Sequence, residues 1–171
     1  MSTIIDIDTS ELGDFDVEIP QGWEVVPPPA GISLLALEPE DAVDPLAFRS
    51  NLVVTVQPRT ESAAPTSAMV DDYLETLLDT LDQQLTDVEE LGVWVSDEHP
   101  ERPERLATQR ILIAYRIDTE GRDAPLEVEM LQQHVWLADE IVTLTATVPA
   151  GVDDAMIDTL NVCLESLTIV R

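Results

Sequence analysis

The sequence contains no lysine: its eight basic residues are all arginine, against 35 acidic residues, and the formal net charge is −27. A field of this sign repels phosphates and anionic lipid headgroups, so nucleic acids and membrane surfaces are disfavoured as partners. A basic protein partner is compatible with it, and a large net charge also keeps a protein in solution. A lysine-free acidic composition is typical of a GC-rich genome, which we favour, and a salt-loving host would produce a similar surface.

Cysteine and long apolar runs are also scarce. Cys163 is the single cysteine, so no internal disulfide can form. No apolar run reaches the roughly 18 residues that a membrane-spanning helix needs. The first ten residues lack the basic and apolar regions of a secretory signal. We therefore expect a cytoplasmic protein that does not insert directly into a membrane.

Familiar catalytic motifs are missing as well. The sequence has no HExxH, CxxC, GxSxG, GxGxxG or P-loop pattern. His99 and His134 are its two histidines, and a zinc site usually takes three or four His, Cys or carboxylate ligands. Carboxylates are so numerous that no one pair indicates an acid–base dyad. We expect no catalytic residue, metal or cofactor; a concave site joining His134 to a buried carboxylate with a shifted pKa would be the sign of an enzyme.

A calcium loop at the N-terminus is the one metal motif to consider, because Asp6, Asp8 and Ser10 have its alternate spacing. An EF-hand also needs Gly at its sixth position and Glu at its twelfth. Those positions hold Glu11 and Val17, so both requirements fail. We interpret residues 1–12 as an acidic N-terminal arm and residues 13–171 as a single domain, because 171 residues with 44% apolar content are enough for one core.

Two segments have the periodicity of one-sided helices. Apolar residues recur every three or four positions over residues 67–85 and 153–167. Ser67 is the expected N-cap of the first helix, and Asp153 or Asp154 that of the second. Cys163 lies on the apolar stripe of the second helix, which predicts a core position and not a reactive thiol. Both helices need another layer to cover their apolar faces.

The remaining apolar segments predict strands. They are "FDVEI", "ISLLAL", "NLVVTVQ", a weaker "VEELGVWV" in which Gly92 indicates a bulge, and the long "LATQRILIAYRID", "LEVEMLQQHVWLA" and "EIVTLTATV". The last three predict an antiparallel meander with a tight turn at Asp139–Glu140. Within the second of them the apolar parity changes near Gln132–Gln133. Either a bulge lies there or helices cover both faces of that strand.

The segment "FDVEIPQGWEVV" resembles the opening of the PsbP-like fold superfamily, in which a strand ends in Pro-x-x-Trp before the second strand. That superfamily includes DcrB-like proteins, LpqN-like lipoproteins and Eag-type chaperones of secreted effectors. The resemblance implies an α+β fold, with a twisted antiparallel sheet of about six to seven strands between helices, and members that mostly bind proteins. It implies structural roles for Pro20 and Trp23. No lipobox is present, so the LpqN-like resemblance concerns fold and not location.

Aromatic and charged residues are the remaining candidates for a site. Trp94 and Trp136 are candidate interaction residues, because tryptophan is favoured at binding hot spots, whereas Trp23 is expected in the core. The first helix carries an exposed acidic face, which we include as a candidate protein-interaction surface: Asp71, Asp72, Glu75 and Asp79.

Arginines are concentrated in the second half of the sequence. Residues 1–101 carry 23 acids and two Arg, whereas residues 102–171 carry 12 acids and six Arg. Four of the six form a locally basic region that suits an acidic partner or bridges to neighbouring acidic strands: Arg102, Arg105, Arg110 and Arg116.

Two functions are compatible with these features. The first is a non-enzymatic protein-interaction module, an accessory or chaperone-like protein of a bacterial secretion system with a basic or membrane-associated client. The second is a carrier of a small molecule or lipid, with a cleft between sheet and helix near Trp136 and His134.

Overall fold

The structure, a computed structural model, describes residues 15–40, 48–61, 63–96 and 101–170, and the backbone of residues 4–6. Its elements follow in chain order: β1 (Ile4–Asp6), β2 (Phe15–Asp16), β3 (Glu18–Pro20), β4 (Glu24–Val26), β5 (Leu34–Leu37), β6 (Asn51–Pro58), α1 (Ser67–Gln84), β7 (Thr86–Ser96), β8 (Ala107–Ile117), β9 (Leu126–Trp136), β10 (Glu140–Pro149), α2 (Asp154–Glu165) and β11 (Thr168–Ile169). Asp8, Ser10 and His99 lie outside the described residues.

Seven strands form one antiparallel sheet in the order β4-β5-β6-β10-β9-β8-β7. The α+β class and the strand number agree with the sequence-based prediction. The predicted meander is confirmed, because β9 pairs with β8 on one side and with β10 on the other. The tight turn after Trp136 is closed by a hydrogen bond from the Leu137 amide to the Glu140 carbonyl, 2.9 Å long.

The two helices cover opposite faces of this sheet. On one side, the α1 face, Val70 packs with Trp136 and Ile141. On the other, the α2 face, Leu160 and Leu164 pack with a larger cluster drawn from the central strands. Burying both helical stripes in this way produces the predicted arrangement of a sheet between helices.

Strand β9 shows why the apolar parity changes along its sequence. Its pairing with both neighbours runs without a register shift, so no bulge lies at Gln132–Gln133. Val135 and Trp136 point to opposite faces, and both are at most 4% exposed. Coverage by a helix on each side is therefore the correct one of the two alternatives.

The helix starts differ in how well the sequence predicted them. Asp153 caps α2, since its carboxylate accepts from the Met156 amide at 2.8 Å. For α1 the prediction of Ser67 was wrong: Thr66 is the N-cap, and its hydroxyl accepts from the Met69 amide at 3.2 Å. The cap must have an extended backbone, which Thr66 has at ψ 157°, whereas Ser67 is already helical.

The opening segment is not one strand of the main sheet. β2 pairs with β11 and β3 pairs with β1, so "FDVEI" divides at Val17. The predicted alternation persists, because Phe15, Val17 and Ile19 are all buried in the core beside α2. The segment Ile4–Asp6, within the proposed N-terminal arm, is the strand β1 that pairs with β3.

The Pro20–Trp23 motif forms a turn. The Trp23 amide donates to the Pro20 carbonyl at 3.2 Å, and Gly22 has φ +85°, a conformation that favours glycine. Trp23 is 8% exposed and belongs to the core cluster of the α2 face, as expected of a structural residue. No helix in the described part of the chain is long and apolar enough to cross a membrane.

Candidate functional site

Strand β7 forms one edge of the main sheet, and β8 is its hydrogen-bonded neighbour. It is 11 residues long and has exposed fractions of 45% at Leu91, 52% at Trp94 and 50% at Val95. Its register shifts twice, and Asp87 has a positive φ of 53°. The regular part therefore begins at Gly92 and carries the exposed side chains of Trp94 and Val95, whereas Leu91 lies at the second register shift.

Gly92 sets the position of the Trp94 ring. A Cβ atom added to Gly92 would lie 2.5 Å from the ring atom Cη2, far inside normal contact distance. The glycine thus leaves room for the indole to fold along the strand. The register also shifts between Glu90 and Gly92, which confirms the bulge that this glycine predicted.

A cleft of about 890 Å³ lies on the α2 face, between α2 and strands β7 to β9. Trp94 borders it at the sheet edge. Its apolar lining comes from strands β8, β9 and β10 and from α2: Leu112, Leu131, Ala146, Val148, Ile157 and Leu160. The cleft exists because α2 packs mainly against β3 and β10 and leaves the part of this face formed by β7 and β8 less covered.

Arginines line one end of this cleft. Arg102 and Arg105 both donate to the Leu167 carbonyl, at 2.8 Å for Arg105, and Arg105 also donates to the Glu165 carbonyl at 3.3 Å. Glu165 is the last residue of α2 and Leu167 lies two residues beyond it, at the helix end where the dipole favours cations. Within the described residues neither guanidinium is within 4.0 Å of a carboxylate oxygen. Arg105 is 9% exposed, and burial, followed by the charge of Arg102, lowers its pKa.

Arg110 is held more firmly by its neighbours. Its Nε donates to Gln133 Oε1 at 3.1 Å, and its other nitrogens donate to Asn161 Oδ1 at 3.4 Å and Glu165 Oε1 at 3.2 Å. Gln133 is anchored in turn, because its amide donates to the Leu164 carbonyl at 2.8 Å. Arg110 therefore ties α2 to the sheet as well as lining the cleft.

The structure brings together three of the four arginines predicted as a basic region. Arg116 does not join them: it is an exposed residue near the other end of β8, and its guanidinium lies 3.1 Å from Asp87. Sequence reasoning placed the arginines near one another but did not find the cleft that Arg102, Arg105 and Arg110 line. The signal it lacked is the contact with α2, about 60 residues further along the chain.

Trp136 is in the core and not on the surface. It is 4% exposed under α1, and its Nε1 donates to Gln109 Oε1 at 2.8 Å, while the Gln109 amide donates to the Val70 carbonyl at 2.6 Å. Strand parity directs it to the α1 face, opposite the cleft. A carrier cleft near Trp136 and His134 was therefore predicted in the wrong place, and Trp94 is the candidate aromatic that the structure leaves exposed.

His134 is deeply buried. It is 1% exposed, and its Nδ1 lies 2.9 Å from Thr143 Oγ1 and 3.4 Å from the Tyr73 hydroxyl. Its Nε2 has no hydrogen-bond partner among the described residues. Burial lowers its pKa to about 4. Its neighbours are hydroxyls, which hold a neutral imidazole in place.

Cys163 and the acidic residues lie in contrasting surroundings. Cys163 is 0% exposed, and burial raises the pKa of its thiol to about 12, so its core position is confirmed.

The four acidic candidates on α1 are all exposed: Asp71, Asp72, Glu75 and Asp79. Over the part of the chain that the structure describes, no three His, Cys, Asp or Glu residues are grouped to hold a metal ion.

The sequence matches no protein-family model and no curated protein, whereas the fold matches solved structures over nearly the whole chain. LpqN of Mycobacterium tuberculosis, involved in cell envelope biogenesis, has a TM-score of 0.59 at 15% identity over 99% of this chain and 91% of its own. The Ran-binding protein Mog1p of Saccharomyces cerevisiae has 0.59 at 14%, over 100% and 97%. The cyanobacterial PsbP of Synechocystis has 0.58 at 14%, over 99% and 94%. The chain has the PsbP-like fold.

Proposed function

We propose that the protein is a non-enzymatic protein-interaction module that binds an extended segment of a client protein along β7. The observation that carries this proposal is the exposed edge strand with Leu91, Trp94 and Val95 on it. Edge strands normally avoid exposed apolar residues, because such strands pair with other chains. Addition of a client strand to a sheet edge is a common mode of peptide recognition.

The charge around β7 favours a basic client. Val95 and Asp71 border the same small hollow at the start of α1. The exposed acidic face of α1 continues from there through Asp72, Glu75 and Asp79. A client segment with apolar residues for Trp94 and Val95 and basic residues beside Asp71 would match both features.

The fold supports an interaction role by analogy. One solved structure with this fold is a Ran-binding protein, and another is involved in cell envelope biogenesis. The resemblance to Eag-type chaperones suggests an accessory, chaperone-like protein of a bacterial secretion system. Its client would then be a secreted or membrane-associated protein, met in the cytoplasm.

Capture of partners from the host by the tagged protein, followed by mass spectrometry, tests the proposal. Val95→Lys places a charge on the docking edge and should lower partner recovery by at least about tenfold. Val25→Lys is the matched control, because Val25 is 49% exposed on the opposite edge strand β4. Loss of one reproducible partner with the first variant alone supports docking at β7. Equal recovery with both variants, or equal loss, contradicts it.

A carrier of a small molecule or lipid is the second candidate, and the cleft of about 890 Å³ favours it. Small-molecule sites typically measure about 300–1,000 Å³ and combine an apolar lining with a few polar groups. Native mass spectrometry of freshly purified protein should then show a bound mass. Protein without any additional mass, in repeated preparations from its host, would argue against this function.

A further inference from the structure

The cleft on the α2 face is polar at one end and apolar along its length. Arg102, Arg105 and Arg110 line one end, and the rest is mainly apolar, with leucine, valine and isoleucine side chains and with Glu129 among them. Arg110 already contacts a carboxylate, that of Glu165. Arg102 and Arg105 instead donate to backbone carbonyls, and among the described residues neither lies within 4.0 Å of a carboxylate oxygen, although the charges of Glu104 and Glu165 act on Arg105. Because the chain as a whole has a net charge of −27, a pair of arginines at one end of a cleft indicates a site for an anionic group.

Thr108 supplies a second, independent observation at this end. Its hydroxyl is buried and has no hydrogen-bond partner among the described residues, and the residue lines the same cleft. It lies three residues after Arg105 and two before Arg110. A hydroxyl donates readily to a carboxylate oxygen, and each guanidinium has five N–H donors, of which the Leu167 carbonyl occupies few.

Carboxylates also line the cleft: Glu101 precedes Arg102, Glu165 pairs with Arg110, and Glu129 lies further along the cleft. Glu129 lines it four residues from Gln133 along β9, which corresponds to about 13 Å. A ligand with a second anionic group at that distance would meet the Glu129 carboxylate. The cleft therefore selects a molecule that is anionic at one end only.

We propose that this cleft binds a long-chain monocarboxylate. Its carboxylate accepts from Arg102, Arg105 and Thr108, and its acyl chain lies on the apolar lining beside Trp94. This inference rests on the carrier function and is independent of client docking at β7. At physiological ionic strength the Debye length is about 8 Å, so the acidic face of α1, on the opposite side of the sheet, is largely screened from the cleft, and the charges that act on a ligand are those of the cleft lining itself.

Three probes with one chain length test the head-group preference by isothermal titration calorimetry: decanoate, decanol and decyltrimethylammonium, each below its micelle concentration. Decanoate should bind one molecule per chain, at least about tenfold more tightly than either other probe. Decanol binding as tightly as decanoate, a preference for the cation, or no binding of any probe would each overturn the proposal.

Substitutions of single arginines test where the carboxylate of decanoate binds. Arg102→Gln should weaken decanoate binding by at least about tenfold without changing decanol binding, and Arg102→Lys should restore part of the loss. Arg116→Gln, on the same chain but outside the cleft, should leave every affinity unchanged. Circular dichroism shows that each variant is folded. Unchanged decanoate affinity in Arg102→Gln overturns the proposed site.

The two proposals fail in distinguishable ways. A neutral molecule found by native mass spectrometry would support the carrier function and overturn the monocarboxylate. Client capture that persists in Arg102→Gln but is lost in Val95→Lys leaves docking at β7 intact, whatever the cleft binds.

Discussion

Burial in the fold changes the acid–base chemistry of His134. Its pKa falls from 6.5 to about 4, because burial penalises the charged imidazole. The unfolded chain therefore binds a proton below about pH 6.5 that the folded chain refuses until about pH 4. Above about pH 6.5 the imidazole is neutral in both states. As the pH falls from about 6.5 to about 4, the unfolded state gains a proton that the folded state does not, so the free energy of unfolding decreases.

Urea unfolding of wild type and His134→Gln at about pH 7.5 and about pH 5 measures this effect. Wild type should lose about 2 kcal/mol more unfolding free energy than the variant on acidification, which follows from about 1.36 kcal/mol for each pH unit between the unfolded pKa of 6.5 and the lower pH of about 5. Both proteins keep His99 and every carboxylate, so the difference isolates His134. Parallel pH curves would contradict a buried, neutral imidazole.

Substitution by phenylalanine should lower the unfolding free energy much more at Trp136 than at Trp94. Trp136→Phe removes the donor to Gln109 Oε1 inside the core and should cost about 1–3 kcal/mol of unfolding free energy, because it leaves a buried acceptor unpaired. Trp94→Phe, at a site 52% exposed, should change it by less than about 0.5 kcal/mol. Denaturant unfolding decides this, and the opposite ranking would show that the roles were exchanged.

At the scale of the element, the start of α1 can be tested by two neighbouring substitutions. Thr66→Ala removes the N-cap oxygen and should lower the unfolding free energy by about 1 kcal/mol. Ser67→Ala lies in the first turn and should change it by no more than a few tenths. A larger cost at Ser67, measured by thermal unfolding of both variants, would restore the cap that the sequence suggested.

Periodicity predicted the elements of this fold because it records burial directly. The helical stripes and the meander depend on residues close in sequence, and these predictions agree with the structure. The site depends on contacts across the chain. Arg105 meets the carbonyl of Leu167, 62 residues later, and no local pattern indicates this. Trp94 and Trp136 look alike in sequence, and only the layer above each strand position decides which is exposed.

At the scale of the whole molecule, the net charge of −27 makes the folded state repel itself. Raising the salt concentration from about 0.01 M to about 1 M shortens the Debye length from about 30 Å to about 3 Å. The melting temperature should therefore rise, by about 2–4 °C for each kcal/mol of repulsion removed.

Thermal scans in both NaCl and KCl separate screening from a salt requirement. The GC-rich explanation of the composition predicts a protein that is already folded near the low end of the salt range. A chain that folds only in molar KCl would instead indicate a salt-loving host. A melting temperature that falls with salt would contradict the repulsion itself.

The central claim, that a client adds to the edge of the sheet, is tested most directly by hydrogen exchange with the captured partner bound. The amides of β7 within Gly92–Val95 that point away from β8 should exchange more slowly in the complex, because a partner strand would accept hydrogen bonds from them. Amides of β4, on the opposite edge, should be unchanged. Protection elsewhere, with β7 exchanging as in the free protein, would contradict the account.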